Sequence, residues 1–318
     1  MITKSVERNI TLDYFKIILS ILVINIHAPF VSIYPPEESS FWHQTGYVCG
    51  WMVSHGVTKI AVPLFFIING FFLDLTNNSK LVRYLKRLFI MYIVWSLFYL
   101  PSYYPYLDTA TFIRVFITGF FHLWYLPGLI GAVILLFVIN KIIKNKFILI
   151  VIAITLFVLG YYIQMQDPYT DIERIKYRNF LFFGFPFVLF GYLLKGLDFA
   201  KYKKTIIISV IIGVILLLAE SYLYMVQQRT NNLMLSLLVL CPALFILVLQ
   251  YSKTGNTDKS IDIISQLSTA VYYVHPMVIR WTALLFAIDI VSFPYIVIAS
   301  FIVAYLVIQV NKTFKIFL

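Results

Sequence analysis

Long apolar stretches recur along the whole chain, and they constrain its fold more than any other feature. Of the 318 residues, 61% are hydrophobic and only 12% are charged, whereas a soluble domain carries roughly a quarter charged residues. In lipid, only helices and closed barrels satisfy their backbone hydrogen bonds. Because the runs are long and continuous, they exclude the short alternating strands of a barrel. The sequence therefore predicts an all-α polytopic membrane protein and excludes a soluble enzyme.

The hydropathy pattern predicts about ten transmembrane helices in one domain that covers residues 1–318. We place them at about 12–34, 57–75, 81–100, 119–140, 147–165, 180–196, 204–222, 232–251, 268–288 and 292–310. A short interfacial helix is expected within 101–118. The longest loop is expected at 35–56. The first span lacks a small-residue cleavage site, which predicts a retained signal anchor.

The basic residues predict the orientation of the spans. Seventeen of the 25 Lys and Arg residues fall on one side of the predicted membrane and five on the other, with Lys16, Lys59 and Arg280 inside spans. This bias places both termini in the cytoplasm, as expected for a multi-pass protein of a bacterial inner (plasma) membrane. Because the charge of +11 is spread between spans, it does not indicate nucleic-acid binding. Cys49 and Cys241 lie far apart and predict neither a disulfide framework nor a metal site.

Lys16 and His27 are the first ionisable residues inside a predicted span. Their separation of 11 residues corresponds to three helical turns plus about 20°, so both side chains point the same way, about 16 Å apart along the axis. Lys16 either extends to the cytoplasmic interface or offers a cation to a ligand. His27 either forms a hydrogen bond between helices or serves as a general base, for which imidazole is well suited.

The second and third spans also carry polar or basic residues. The second carries Lys59 at its outer end, Pro63, and a small polar notch at Asn69. The third begins with "LVRYLKRLF", in which Arg83 and Arg87 share one helix face at the cytoplasmic mouth. These arginines either anchor the span by the positive-inside rule or clamp a phosphate.

The remaining polar groups are near the outer interface and in the ninth span. In "FFHLWYLPGLIG", residues 120–131, His122 and Trp124 are expected at the outer interface, and Tyr125 is interpreted as part of an aromatic belt. In the ninth span, His275 precedes Pro276, and Arg280 is expected near mid-membrane, facing protein or a wet cavity. Two histidines of the first outer loop, His43 and His55, and one acid at an outer span end, Glu220, are interpreted as solvated or interfacial.

Together these motifs resemble the acyltransferase-3 family of integral membrane acyltransferases over nearly the whole chain. The motifs are the Lys16–His27 spacing, Lys59 leading into "AVPLFFIINGFF" (61–72), the basic start of the third span, "HLWYL" (122–126) and "VYYVHP" (271–276). Asn69 stands where this family more often has serine. The expected ten spans with cytoplasmic termini also match.

The resemblance implies transfer of an acyl group, usually acetyl, from cytoplasmic acetyl-CoA to a hydroxyl of a surface glycan or lipid-linked sugar. Lys16, Arg83, Lys86 and Arg87 would bind the anionic part of the donor, and His27 would be the general base or form a covalent acyl-histidine. The residues expected at the acceptor are Lys59, Asn69, His122, Trp124, His275 and Arg280, of which Asn69, His122 and Arg280 are candidates for oxyanion stabilisation. No metal and no permanently bound cofactor are expected.

The alternative is a membrane transporter or flippase that performs no acyl transfer. A fold does not determine a function, so the alternative stays open at the level of sequence. The Lys16–His27 spacing favours the enzyme, because a transporter has no special need for it. The sequence identifies neither the acceptor, nor the acyl chain length, nor the oligomeric state.

Overall fold

The computed structural model describes residues 8–32, 41–166, 173–255, 259–285 and 290–318. The α-helices of this part of the chain are α1 (Ile10–His27), α2 (Phe41–Trp51), α3 (Ala61–Phe72), α4 (Asn78–Tyr103), α5 (Thr109–Thr118), α6 (Tyr125–Ile142), α7 (Lys146–Gln166), α8 (Phe185–Leu194), α9 (Lys203–Val226), α10 (Leu237–Gln250), α11 (Lys259–Leu285) and α12 (Phe293–Phe314). Two two-residue strands, β1 (Arg8–Asn9) and β2 (Thr254–Gly255), pair antiparallel. The prediction of an all-α fold is confirmed apart from this short pair.

Six helical segments of the described chain are long and apolar enough to cross a bilayer. They are Ile10–His27, His43–Phe72, Phe121–Ile142, Lys146–Gln166, Ala200–Val226 and Phe293–Phe314. These apolar helices indicate a multi-pass membrane protein. The four other predicted spans also coincide with helices, but α8 and α10 are short, and α4 and α11 carry more polar and charged residues. The count of ten spans and the cytoplasmic location of the termini stay predictions.

The first span is shorter than the sequence analysis predicts. We expected a helix over about 12–34, but α1 ends at His27. Ala28 leaves the helical region, with φ −132° and ψ 71°, because the ring of Pro29 disfavours helical geometry in the residue before it. His27 therefore occupies the carboxyl-terminal end of α1 rather than its interior.

Residues 41–60, before α3, are helical, whereas we expected a loop at 35–56; residues 35–40 of that loop lie outside the described residues. After α2 the helix widens to a π-turn at Met52–Gly56, tightens to a 3₁₀ turn at Val57–Ile60 and continues into α3. Pro63 has no N–H to donate to the preceding turn, which accounts for an irregular backbone just before it. A helix is present within 101–118, as predicted, and it is α5, whose Ala110 and Thr111 N–H groups donate to the side chain of Asp108. Its interfacial position stays a prediction.

By its internal contacts the chain divides into two compact units. Unit 1 comprises residues 1–62, 198–316 and 318, and unit 2 comprises residues 63–197 and 317. In unit 1, α1 packs against α11, α10 and α12. Two contacts with the same spacing fix α1 parallel to α11: the Ser20 hydroxyl donates to the Ser268 carbonyl, and the ring of His27 meets that of His275.

The two ends of unit 1 can be assigned from contacts outside these helices. The β1–β2 pair joins the segments that precede α1 and α11. At the opposite end, the ring of Phe30 meets that of Phe293 at 4.8 Å between centroids, so α12 begins where α1 finishes and runs back. The start of α1 and the finish of α12 therefore lie at the same end of unit 1.

Unit 2 is built around aromatic packing and one very close helix crossing. Phe66, Phe183 and Phe157 lie in its core, fully or almost fully buried. A Cβ added to Gly70 of α3 would lie 2.0 Å from the Val188 carbonyl oxygen of α8. The two helix backbones can approach this closely only because the position has no side chain, as in other membrane helix pairs.

Candidate active site

Two histidines that are far apart in the sequence meet in unit 1. The rings of His27 on α1 and His275 on α11 have centroids 5.2 Å apart and an interplanar angle of 34°. His275 is fully buried, whereas His27 is half-buried. The Nδ1–H of His275 donates to the Val271 carbonyl at 2.9 Å. The pair combines a half-buried imidazole with a second imidazole whose orientation the helix fixes.

Lys16 lies on the same helix as His27, eleven residues towards the start of α1. Its ammonium group donates to the carboxylate of Asp13 at 2.8 Å, and this carboxylate is only 3% exposed. The sequence analysis did not single out Asp13. The signal was an acid three residues before a lysine in an apolar helix, a spacing that places the two side chains together. Asp13 therefore sets the position and partly balances the charge of Lys16.

Lys59 lies near the level of His27 in unit 1. The backbone N–H of Phe30 donates to the Ser54 hydroxyl at 3.0 Å, which ties the chain just after α1 to the π-turn. The 3₁₀ turn that carries Lys59 follows directly and packs against α1. His27 precedes Phe30 in the chain and Lys59 follows Ser54. Because the two segments are antiparallel at this contact, Lys59 and His27 come to a similar depth.

Two polar groups of unit 1 differ from expectation. Arg280 is exposed and lies five residues after His275, about 140° around α11, so the structure does not place it beside the histidine pair. His55 is not a solvated loop residue, because it is half-buried in the π-turn with its ring 4.4 Å from that of Trp51. His43, in contrast, is exposed on α2 as expected.

Asn69 joins three helices of unit 2. Its amide nitrogen donates to the Phe65 carbonyl at 2.8 Å and to the Tyr125 hydroxyl at 3.0 Å. The Tyr84 hydroxyl donates to the amide oxygen at 2.8 Å. The hydroxyl of Tyr125, which we interpreted as part of an aromatic belt, is held by Asn69. The polar notch of the second span is thus a link between α3, α4 and α6.

His122 and Trp124 lie together in a strained turn that precedes α6. Gly119 and Phe121 have positive φ angles of 96° and 48°, which bend the chain into the 3₁₀ turn Phe121–Trp124. His122 is 2% exposed and meets the ring of Tyr99 at 5.0 Å. The guanidinium of Arg178 lies 4.9 Å from the ring centre of Trp124, within the range of a cation–π interaction.

The basic start of α4 is exposed. The side chain of Asn77 caps the helix by accepting the N–H of Lys80. Three cations follow on accessible positions, and these are Arg83, Lys86 and Arg87. Hydrogen bonds from Thr76 lower the pKa of Asp74, and a carboxylate oxygen of Asp74 lies 3.7 Å from the ammonium nitrogen of Lys80. Among the described residues, no group of three or more His, Cys, Asp or Glu could hold a metal ion.

Comparison with known proteins agrees with the motifs. Residues 9–309 match the model of the acyltransferase-3 family, described as an acyltransferase domain. Curated relatives include two proteins from Enterococcus faecalis that are named amino-acid racemase. One is 26% identical over 96% of this chain and 47% of its own length. The other is 30% identical over 59% of this chain and 26% of its own length. A serine/alanine racemase of Enterococcus gallinarum is 24% identical over 86% of this chain and 41% of its own length.

The chain spans less than half the length of the curated relatives that it matches. Their names therefore describe proteins of which this chain resembles one part. No solved structure matches the chain. The family model, in contrast, extends over nearly all of it and over both units. This chain belongs to the acyltransferase-3 family of membrane acyltransferases.

Proposed function

We propose that the chain is a membrane O-acetyltransferase that moves an acetyl group from cytoplasmic acetyl-CoA to a hydroxyl of a cell-surface polysaccharide or its lipid-linked precursor. The observation that carries the proposal is the His27–His275 pair at the end of α1, with Lys16 on the same helix. The family supports acyl transfer. The donor, the acceptor and the residue roles below are parts of the proposal.

The donor is proposed to bind through its phosphates. Lys16 is the cation of unit 1 for this role, and its neighbour Asp13 sets its position at 2.8 Å. The exposed Arg83, Lys86 and Arg87 at the start of α4 are the corresponding cations of unit 2. Guanidinium groups suit phosphate oxygens because they donate two parallel hydrogen bonds. The thin pantetheine arm would then carry the thioester away from these charges.

His27 is proposed as the general base. Its ring takes the proton of the acceptor hydroxyl while the oxygen attacks the thioester carbonyl. The new carbon–oxygen bond forms, the carbon–sulfur bond breaks, and the CoA thiolate receives the proton from His27. The carboxyl end of a helix favours a positive charge beside it. The position of His27 at the end of α1 therefore suits the imidazolium that forms during the reaction.

The acceptor is proposed to be a sugar that contacts aromatic and polar groups. Trp124 offers an aromatic face beside Arg178, and aromatic rings pack well against the apolar faces of sugars. His122, Asn69 and Lys59 are the other proposed acceptor contacts. Asn69 is the least free to rearrange, since both ends of its amide are held by tyrosine hydroxyls. Arg280, which is exposed on α11, is the last proposed acceptor contact. His275 was predicted as one from the sequence, but it is fully buried, so its proposed contact is with His27.

Transport of a small molecule is the second candidate function. The observation that favours it is the name of the relatives, which are racemases of amino acids. A membrane region that is joined to such an enzyme would suit the movement of an amino acid rather than acylation. In that case the chain would carry free serine or alanine across the membrane and would not consume acetyl-CoA.

One experiment separates these functions. Purified protein in nanodiscs is incubated with acetyl-CoA labelled in the acetyl group and with membrane glycolipid extract, and both CoA release and label on the extract are followed. His27→Ala is the test variant and His43→Ala the matched control, because His43 is an exposed histidine of the same chain. We expect label transfer by the wild type and the control, and a loss of about 10²–10⁴-fold in His27→Ala.

Two results would contradict the proposal. If correctly inserted His27→Ala transfers label at the wild-type rate, His27 is not the base. If the wild type and His43→Ala both fail to release CoA, and proteoliposomes with the wild type take up labelled serine or alanine faster than empty vesicles, the chain is a transporter and not an acyltransferase.

A further inference from the structure

The parallel packing of α1 and α11 holds two histidines at one height. Ser20 meets Ser268 and His27 meets His275, with seven residues between the two contacts on each helix. Seven residues are close to two turns of a helix, so both contacts lie along the same line of the interface. The register of this interface therefore places the ring of His275 against that of His27 and prevents it from drifting along α1.

The hydrogen bond of His275 determines which of its nitrogens carries the proton. A backbone carbonyl only accepts hydrogen bonds, so the Nδ1 that lies 2.9 Å from the Val271 carbonyl must be the protonated nitrogen. In the neutral ring this leaves a lone pair on Nε2.

The separation of the two rings suits one direct hydrogen bond. The ring centroids are 5.2 Å apart, a separation at which a nitrogen of one imidazole reaches a nitrogen of the other once the rings turn edge to edge. With the lone pair on Nε2 of His275, the donor must be an N–H of His27. A neutral partner is also favourable here, because His275 is 0% exposed and a buried carboxylate would carry a large desolvation cost.

We infer that His275 is a positioning residue that orients His27 and fixes its tautomer. This inference rests on the proposed acyltransferase function. In the proposed arrangement, the Nδ1–H of His275 donates to the Val271 carbonyl, as observed, and Nε2 of His275 accepts an N–H of His27. The second nitrogen of His27 then keeps its lone pair for the acceptor hydroxyl. During transfer the hydroxyl proton goes to this second nitrogen and later to the CoA thiolate, while His275 neither gains nor loses a proton.

Two substitutions at His275 separate its hydrogen bonds. The amide nitrogen of Asn occupies about the place of Nδ1, so His275→Asn keeps the bond to Val271 and loses the acceptor that faces His27. The longer Gln places its amide oxygen near Nε2, so His275→Gln keeps that acceptor. If His275 acts through His27, kcat falls by about 10²-fold in His275→Asn and by less than about 10-fold in His275→Gln. KM for acetyl-CoA stays within about 2-fold in both, because the lost interaction is not with the donor.

A double variant tests whether His275 acts through His27. In a His27→Ala background, adding His275→Asn should lower the residual rate no further. The inference is overturned if His275→Asn keeps the wild-type kcat, if Asn and Gln reduce kcat equally, or if the double variant is slower than His27→Ala alone. Wild-type activity that is lost in His27→Ala but kept in His275→Asn would overturn this inference and leave the proposed function standing. An inactive wild type would overturn both.

Discussion

The close crossing of α3 and α8 makes a sharp prediction for Gly70→Ala. The added Cβ would lie 2.0 Å from the carbonyl oxygen of Val188, 2.8 Å from its carbonyl carbon and 3.0 Å from its Cα. Real Cβ atoms do not come nearer than about 3.0 Å to such atoms, so the helices must separate by about 1 Å. The obstacle is backbone in a helix, which cannot turn aside as a flexible side chain would. The same crossing is closed from the other side by Gly191, whose added Cβ would lie 2.0 Å from the Ile67 carbonyl oxygen.

We expect Gly70→Ala to destabilise the protein by about 1–3 kcal/mol, the range of overpacked sites. Separation of the helices also moves the neighbouring residue Asn69, whose hydrogen bonds to Tyr84 and Tyr125 are 2.8 and 3.0 Å long. A shift of about 1 Å takes such bonds beyond normal geometry. Loss of these bonds would add to the packing cost.

Gly128→Ala is the matched control for this substitution. Gly128 also lies inside a helix of unit 2, but its added Cβ would meet only side-chain atoms of Phe66 and Trp124 at 3.6 and 3.7 Å. These are ordinary van der Waals contacts. Because alanine is a better helix former than glycine by up to about 1 kcal/mol, this variant should be neutral or more stable. The same chemical change is therefore expected to have opposite signs at two positions.

The assay is thermal unfolding of the purified variants in one detergent, followed by intrinsic fluorescence. A cost of 1 kcal/mol lowers Tm by about 2–4 °C in proteins of a few hundred residues, so Gly70→Ala should unfold several degrees below the wild type. An unchanged or raised Tm for Gly70→Ala would refute the close approach of α3 and α8, whatever the Tm of Gly128→Ala.

Three further predictions concern individual side chains. Lys16→Met should raise KM for acetyl-CoA about 10-fold and leave kcat nearly unchanged in steady-state kinetics, because it weakens donor binding and does not affect the chemical step. A fall in kcat at constant KM would exclude donor binding as the role of Lys16. Glu220→Gln should lower Tm, because the carboxylate accepts the backbone N–H groups of Leu235 and Ser236, just before α10, and the Ser236 hydroxyl. A donor of the buried Ser236 left unpaired costs about 1–3 kcal/mol; an unchanged Tm would show that these bonds are replaced by water. Asn69→Leu should lower Tm more than Tyr125→Phe, since it breaks two side-chain hydrogen bonds rather than one; the reverse order would place the main contribution on the tyrosine.

Local features of the fold were predictable because they follow from short stretches of sequence. Long apolar runs indicate helices wherever they occur, and the 11-residue spacing of Lys16 and His27 fixes their shared face. The finish of α1 was predictable as well, since Pro29 disfavours a helical Ala28. The expected span of 12–34 extends past His27 because the apolar residues continue beyond the end of α1. Hydropathy alone does not show where the backbone changes direction.

Contacts between distant segments were not predictable from one sequence. His275 follows His27 by 248 positions, and only the packing of α1 on α11 brings them together. From the sequence, Asn69 is interpreted only as a small polar position in an apolar span. Nothing near it in the sequence identifies Tyr84 and Tyr125 as its hydrogen-bond partners. The helical course of 41–60 was also hidden, since its polar and aromatic composition is typical of a loop and its helix is completed by packing.

The spacing between Lys16 and His27 on α1 favours acyl transfer more strongly than either residue does alone. Lys16 and His27 lie about 16 Å apart on one helix face. In the same way, the phosphates and the thioester of acetyl-CoA lie at two separate points along the molecule, so the cation could bind the phosphates while the imidazole faces the thioester. A transport path would need polar groups at both positions, but it would not need the second one to be an imidazole held against another imidazole. The ring of His275, fixed by Val271 and buried beside His27, has a clear use only if the tautomer of His27 matters. Proton transfer is the chemistry for which a tautomer matters, and this favours the enzyme over the transporter.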